Sequence, residues 1–216
     1  MAGSQVPPQP PAAEGTLSPE QAAWLRLRGG LRDVRVRPEV ELEETAGPQR
    51  LAPFSAALTA DVLVDGEEAA TGRLVLLHDP AGHEAWQGTT RLVAYVRAEL
   101  ELEMAADPLL PRVGWAWLEE ALEANGARAA NLSGTVTRVT SEGFGAMAER
   151  ATAQLELRAS WTPADIDLGH TLRTGPDSSS PDHPLHAHVS AFAQLCASSA
   201  GLPPLPPGVA LLGSRR

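Results

Sequence analysis

A chain of 216 residues with a formal net charge of −10 has room for an ordinary hydrophobic core and lacks the clustered cations that duplex nucleic acid requires. One cysteine, Cys196, excludes an internal disulfide and suits a reducing compartment. No apolar run approaches the length of a membrane span, and the opening MAGSQVPPQPPAAEG has neither the basic nor the apolar segment of a secretory signal. These features lead us to expect a cytoplasmic protein with no membrane association and no direct nucleic-acid contact. All 17 basic residues are arginine, Ile and Tyr occur once each and Asn twice. That bias against AT-rich codons reflects a high-GC genome, so the arginine-only surface is not itself a sign of anion recognition.

Residues 1–17 have little to bury and read as a disordered tail. Ser18-Pro19-Glu20-Gln21 then supplies an N-cap, a proline at the first helical position and a capping-box glutamine. The helix so opened should turn Ala22, Leu25 and Trp24 inward and stop at Gly29-Gly30. From Val34 the period becomes two. Val34, Val36, Val40 and Leu42 face one way, with Arg35, Arg37, Glu39, Glu41 and Glu43 opposite. Pro38 cannot donate to a ladder, so this is an edge or bulged strand. Phe54–Val64 repeats the alternation and leads into Asp65-Gly66, a hairpin signal for which Glu67–Thr71 suggests a longer loop. Arg73–Leu77 is apolar enough for a central strand covered on both faces.

Residues 77–88, LHDPAGHEAWQG, separate that strand from the clearest one in the chain. There Leu92, Ala94, Val96, Ala98, Leu100 and Leu102 alternate with polar or charged neighbours. A helix begins at Asp107-Pro108 or Pro111, with Val113, Trp117, Leu118, Ala121 and Leu122 inward and Trp115 on its flank, and ends at Asn125-Gly126. Leu132–Ser141 and Ala153–Trp161 read as two more strands, and residues 162–182 as a polar loop. The last helix covers about Pro184–Ser199, with Asp182 as N-cap and Val189, Phe192, Leu195 and Cys196 as its buried stripe. The predicted fold is α+β: a single antiparallel sheet of five to six strands with two or three helices on one face. It occupies residues 18–202, and 203–216 form a proline-rich flexible tail. No glycine-rich loop joins a strand to a helix in the manner of a nucleotide-binding fold.

Several groups of residues could carry chemistry. His78, Asp79 and His83 could ligate a metal. Pro80 and Gly82 exclude a helical arrangement of them, however, and Asp79-Pro80-Ala81-Gly82 is a good β-turn sequence. The expectation is a turn with the two imidazoles as neighbours rather than face to face, and no metal. His183, His186 and His188 form a second cluster in which packing is favoured over metal binding. Cys196 lies in apolar surroundings with nothing to depress its pKa, so core packing is expected. Glu99, Glu101 and Glu103 should share a solvated strand face. Ser18, Ser133 and Ser141 lack a nucleophile-elbow context. The tryptophans 86, 115, 117 and 161 fall at element ends, where rings either fill the core or edge a pocket; core is favoured.

The segments RLAPFSAAL, GRLVLLHDPAGHEAWQGTTRLVAYVRAELELEMAADPLLPRVGWAWL and SGTVTRVTSEGFG, with RASWTP, resemble an actinobacterial family catalogued as domain of unknown function 3000. The resemblance spans roughly Val34 to Pro204. It implies no activity, cofactor or catalytic residue. It does place Arg37-Pro38-Glu39, His78 through His83, Trp86-Gln87-Gly88 and Trp115 within the family pattern.

The expected function is therefore a non-enzymatic module binding a protein or small ligand, without a cofactor, through the charged sheet face or the loops edged by Trp86. Candidate ligand or interface residues are Arg37, Glu39, His78, Asp79, His83, Trp86, Arg91, Arg97, Glu99 and Trp115. The alternatives are a metal-assisted hydrolase using His78, Asp79 and His83, and an accessory of RNA metabolism acting through a protein partner.

Overall fold

A computed structural model of the chain describes residues 17–148, 151–166 and 183–204. Most of the tails expected over 1–17 and 203–216, most of the polar loop expected over 162–182, and Asp182 lie outside the described residues. What is described forms one open sheet of six strands, all neighbours antiparallel, in the order β1-β2-β3-β4-β6-β5. The strands are β1 (Val40–Ala46), β2 (Phe54–Val64), β3 (Glu67–His83), β4 (Gly88–Leu100), β5 (Ala129–Glu142) and β6 (Ala151–Pro163). Four helices accompany them: α1 (Pro19–Gly29), α2 (Leu102–Ala106), α3 (Leu110–Ala124) and α4 (Pro184–Ser199). This is the α+β fold expected. No described helix is long and apolar enough to cross a membrane.

Helix α1 starts as read: Ser18 and Gln21 form the reciprocal capping box behind Pro19. Its inward face is rotated from the expected one, with Ala23, Trp24 and Leu27 buried and Leu25 exposed. The cause is Trp24, whose ring stacks on Phe54 at 5.6 Å and so sets the helix phase. The first strand begins at Val40 rather than Val34, because Pro38 and Glu39 form a turn closed by Val40 N–H to the Arg37 carbonyl. It is an edge strand, as Pro38 suggested. Arg28 and Arg32 both bond the Glu44 carboxylate of β1, tying the end of α1 to that edge. Burial works against ionisation of Glu44, but the two guanidinium donors hold its pKa below the usual carboxylate value.

The β2–β3 turn is two residues, shorter than expected. Asp65 and Gly66 both have positive φ, 54° and 85°, as a primed hairpin turn requires. Glu67–Thr71, which suggested a longer loop, belong to the strand instead, and the one extra residue, Ala69, is absorbed by a register shift beside Val62 and Leu63. Strand β3 is central, but only one of its faces is fully covered: Leu74 and Leu76 are buried while Arg73 and Val75 are half-buried. Strand β4 ends at Leu100, so Glu99, Glu101 and Glu103 do not share a strand face; Glu101 is the N-cap of the short α2. Helix α3 buries Leu110, Gly114, Leu118, Ala121 and Leu122, whereas Val113 is exposed. Gly114 takes the inward place because a Cβ there meets Val136 at 3.3 Å and Leu155 at 3.5 Å.

Helix α4 matches its expected span, and it buries more than the stripe: Leu185, His188, Ala191, Ala193, Ala197 and Ser199 are also inside. Its N-cap is His183, whose Nδ1 accepts the Leu185 N–H, not Asp182. Alternate residues of β2, β3, β4 and β6 pack with α1, α3 and α4 in one core. The opposite face carries the charged rows, where Arg97 donates to Gln154 and Arg158 pairs with Glu156 while lying 5.0 Å over the Tyr95 ring.

Gly72 is the seat of α4 on the sheet. A Cβ there stands 2.6 Å from Cys196 Sγ and 2.8 Å from Phe192 Cζ. Burial drives the Cys196 thiol far above its ordinary pKa, so the sulfur acts as packing rather than as a nucleophile. Gly72→Ala is expected to destabilise the fold by roughly 1–3 kcal/mol through overpacking. Urea unfolding of Gly72→Ala, Cys196→Ala and the double variant tests this. The double variant should lose less than the sum of the singles, because Cys196→Ala opens the space that the new methyl needs.

Candidate functional site

The expected turn at Asp79-Pro80-Ala81-Gly82 is instead a wide bulge in β3. His78 pairs with Thr90 and His83 with Gly88, so four residues of β3 oppose Thr89 alone. Asp79 Oδ1 accepts the Ala81 N–H at 3.0 Å, and Gly82 has φ of 80°, a conformation glycine takes without strain. The chain reverses one step later, at a 3-10 turn over Glu84–Trp86 followed by Gln87 with φ of 52°. Asp-Pro and Gly therefore mark a departure from the strand as they would mark a turn.

The bulge separates the two histidines. His78 is 2% exposed and closes a stack with Trp24 at 6.4 Å and Phe54 at 6.0 Å. His83 is exposed and stacks on Trp86 at 4.7 Å. Among the described residues no group of three or more His, Cys, Asp or Glu is placed to hold a metal ion. His78 Nδ1 lies 3.0 Å from the Thr89 carbonyl and 3.2 Å from Thr90 Oγ1. A carbonyl only accepts, so Nδ1 carries the proton and the lone pair sits on Nε2. Burial pushes this imidazole below the usual histidine pKa, against the opposing pull of the Thr89 carbonyl and of the Asp79 and Glu20 carboxylates.

Beside His78 is a cavity of about 560 Å³, within the range of small-molecule sites. The first turns of α1 (Pro19, Glu20, Ala23), the bulge (His78, Pro80), the start of β4 (Gln87 to Thr90), Ala130 and the end of β6 (Thr162 to Ala164, Ile166) form its walls. Most of that surface is apolar. The β6 wall is braced by His188: Trp161 Nε1–H donates to its Nδ1 at 3.1 Å, and its Nε2 bonds Asp165 Oδ1 at 2.9 Å. Burial opposes ionisation of Asp165, yet the His188 contact and backbone donors keep its pKa below the ordinary value.

The opposite wall hangs on Arg91. Its guanidinium, with the residue 7% exposed, pairs with no carboxylate among the described residues. Nη1 donates to Thr162 Oγ1 at 3.1 Å, and Nη2 reaches Ser160 Oγ at 2.7 Å with the carbonyls of Ser160 and Asn131 at 3.1 Å. Burial pulls its pKa down from the usual arginine value, although a guanidinium stays charged in any protein setting. Thr162 Oγ1–H and Asn131 Nδ2–H both donate to the Trp86 carbonyl. One cation thereby holds β4, β5, β6 and the reversal loop together.

The remaining sequence-selected residues lie elsewhere. Arg37 pairs with Glu39 at 3.1 Å and donates to the Pro203 carbonyl; the Arg37 hydrogen bond holds the Glu39 carboxyl low. Arg37 borders a second cavity of about 520 Å³ beside Ser190 and Gln194 of α4. Arg97 and Glu99 are exposed on the sheet face. Trp115 is partly buried, bonds Glu119 at 3.0 Å and covers Gly134. Of the ten candidates, the structure gathers His78, Asp79, His83, Trp86 and Arg91 at one end of the sheet, with only His78 lining the cavity. Sequence reasoning missed Glu20, Ala23, Thr89, Thr90, Thr162, Pro163, Ala164 and Ile166. Thr162 is 71 positions from Arg91, and no local pattern signals such a meeting.

A family model described as "Protein of unknown function (DUF3000)" matches residues 20–210. No curated protein and no solved structure matches the chain.

Two predictions follow from these groups. Arg91→Ala is expected to cost about 2–4 kcal/mol in denaturant unfolding, because oxygens on β5 and β6 lose their donor. Arg91→Lys should recover only part, since one ammonium cannot match the planar fork. Stability should also fall in two steps on acidification. His78 and His183 have folded pKa values below their unfolded ones, so their contribution is complete above about pH 6.5 and is lost as pH drops towards the folded values. Glu44 and Asp165 likewise have lowered values, and theirs is lost below about pH 4. Thermal melts from pH 8 to 3 check the order, and His78→Phe should flatten the first step.

Proposed function

The chain belongs to the DUF3000 family, and from that premise we propose that it is a small-ligand-binding module whose site is the cavity between α1, the β3–β4 bulge and the end of β6. One observation carries the reading: a cavity of about 560 Å³ with largely apolar walls has a single buried imidazole in its lining. Apolar walls supply affinity, and a few fixed polar groups set orientation. His78 is held in place by its ring stack and by the Thr89 carbonyl, so its Nε2 offers a pre-organised acceptor. The second cavity is a weaker site because Arg37, its most enclosed cation, is already committed to Glu39 and Pro203.

The hydrolase alternative needs His78, Asp79 and His83 to converge, and their side chains are engaged separately. We take the protein to act in the cytoplasm, where its lone buried thiol stays reduced, and its composition suits an actinobacterial source. Its acidic charge supports a role away from nucleic acid.

The test is a fragment screen on the full chain by thermal shift, followed by amide-shift mapping. Fragments are expected to perturb Gly88, Thr89, Thr90 and Ile166. Ala164→Trp, which fills the mouth from an exposed position, should abolish binding with the fold intact. Perturbations confined to the charged sheet face or to Ser190 and Gln194, or persistence of binding in Ala164→Trp, would overturn the assignment.

A further inference from the structure

We propose that the ligand is a protonated amine on an apolar body, its ammonium placed between the Glu20 carboxylate and Nε2 of His78. This inference rests on the binding reading above and adds the chemical class. It starts from which polar groups the cavity offers. Among the described residues, Glu20 and His78 are the ionisable side chains in its lining, and none of those lining residues is an arginine. With its proton fixed on Nδ1 by the Thr89 carbonyl, His78 presents an acceptor, and among the described residues no donor reaches Nε2. Glu20 has no ion-pair or hydrogen-bond partner among the described residues either. Of the arginines that follow it on α1 and just beyond, Arg28 and Arg32 are taken by Glu44, and Arg26 stands in the last turn of the helix, away from Glu20 in the first.

The surrounding charges point the same way. The charges that act on the imidazole are the carboxylates of Asp79 and Glu20, so the potential there is negative. Arg91 lies outside the lining, bonded to Thr162, with its Nη groups turned to the oxygens of β5 and β6. A carboxylate ligand would lose its hydration against two like charges and meet an acceptor where it needs a donor. An ammonium brings donors to an imidazole lone pair and an unpaired carboxylate. Pro19, Ala23, Pro80, Pro163 and Ile166 then cover the apolar remainder.

The experiment titrates the full chain at pH 8 with three probes of matched body, 2-phenylethylamine, 2-phenylethanol and 3-phenylpropionate, followed by amide shifts. The amine is expected to bind roughly fivefold or more tighter than the alcohol, as one exposed charge pair allows, and the carboxylate most weakly. Glu20→Gln should bring the amine down to the alcohol's affinity and leave the alcohol unchanged, which also reports an intact cavity. His78→Phe should weaken amine and alcohol together. Binding of the carboxylate as well as or better than the amine overturns the amine class while leaving the cavity as a binding site. So does an amine preference that survives Glu20→Gln. If none of the three probes shifts the cavity amides while other fragments do, the class fails alone; if no compound does, the binding reading fails with it.

Discussion

A buried guanidinium governs one end of this molecule. Removing a cation from water costs several kcal/mol, and among the described residues Arg91 offsets that with neutral oxygens, from Thr162, Ser160, Asn131 and Ser133. Those oxygens come from β5 and β6, and β5 is two places away from β4 in the sheet. The planar fork can reach that spread of acceptors at once, which a point charge cannot. Asn131 adopts φ of 50° at the β5 irregularity, and its backbone carbonyl thereby joins the set. Because Thr162 and Asn131 also hold the Trp86 carbonyl, the reversal loop and the cavity wall are built from the same hydrogen bonds.

Charge placement on the two sides of the sheet follows a single logic. On the covered face, polar groups are few, and three of its histidines are each bonded to a defined partner. His188 sits between Trp161 and Asp165, His183 caps α4, and His78 rests on Thr89. On the open face, charges sit in rows that exchange partners across strands at small energetic gain. Burial lowers the pKa values of His78 and His183 on the covered face, so these two histidines set the first step of the acid response.

Most of the fold was legible because its signals are local. The capping box at Ser18, the alternation of β2, β4 and β6, the Asp65-Gly66 turn and the span of α4 can each be read within a dozen residues. The errors share a cause, which is that tertiary contacts decided the detail. Trp24 rotated α1 by stacking on Phe54, and the strand expected to run on to Leu102 gave way at Glu101 to a short helix anchored by Arg138. The site was less legible than the fold. His78 and Arg91 stood out by residue type, but the cavity is made by Glu20, Thr90 and Thr162 meeting from three distant segments. Residues such as Ala23 and Ala164 matter for their smallness, which no sequence motif announces.

The bulge of residues 79–82 also separates two tasks that a regular hairpin would merge. Strand register is set before it, by pairs such as Leu74 with Ala94 and Leu76 with Leu92, and resumes beyond it at His83 and Gly88. The intervening segment carries no ladder duty, yet Pro80 borders the cavity. Its length and composition can therefore drift without shifting the sheet by a residue. Substitutions in this segment would alter the border of the cavity while leaving the strand pairs on either side of it in register.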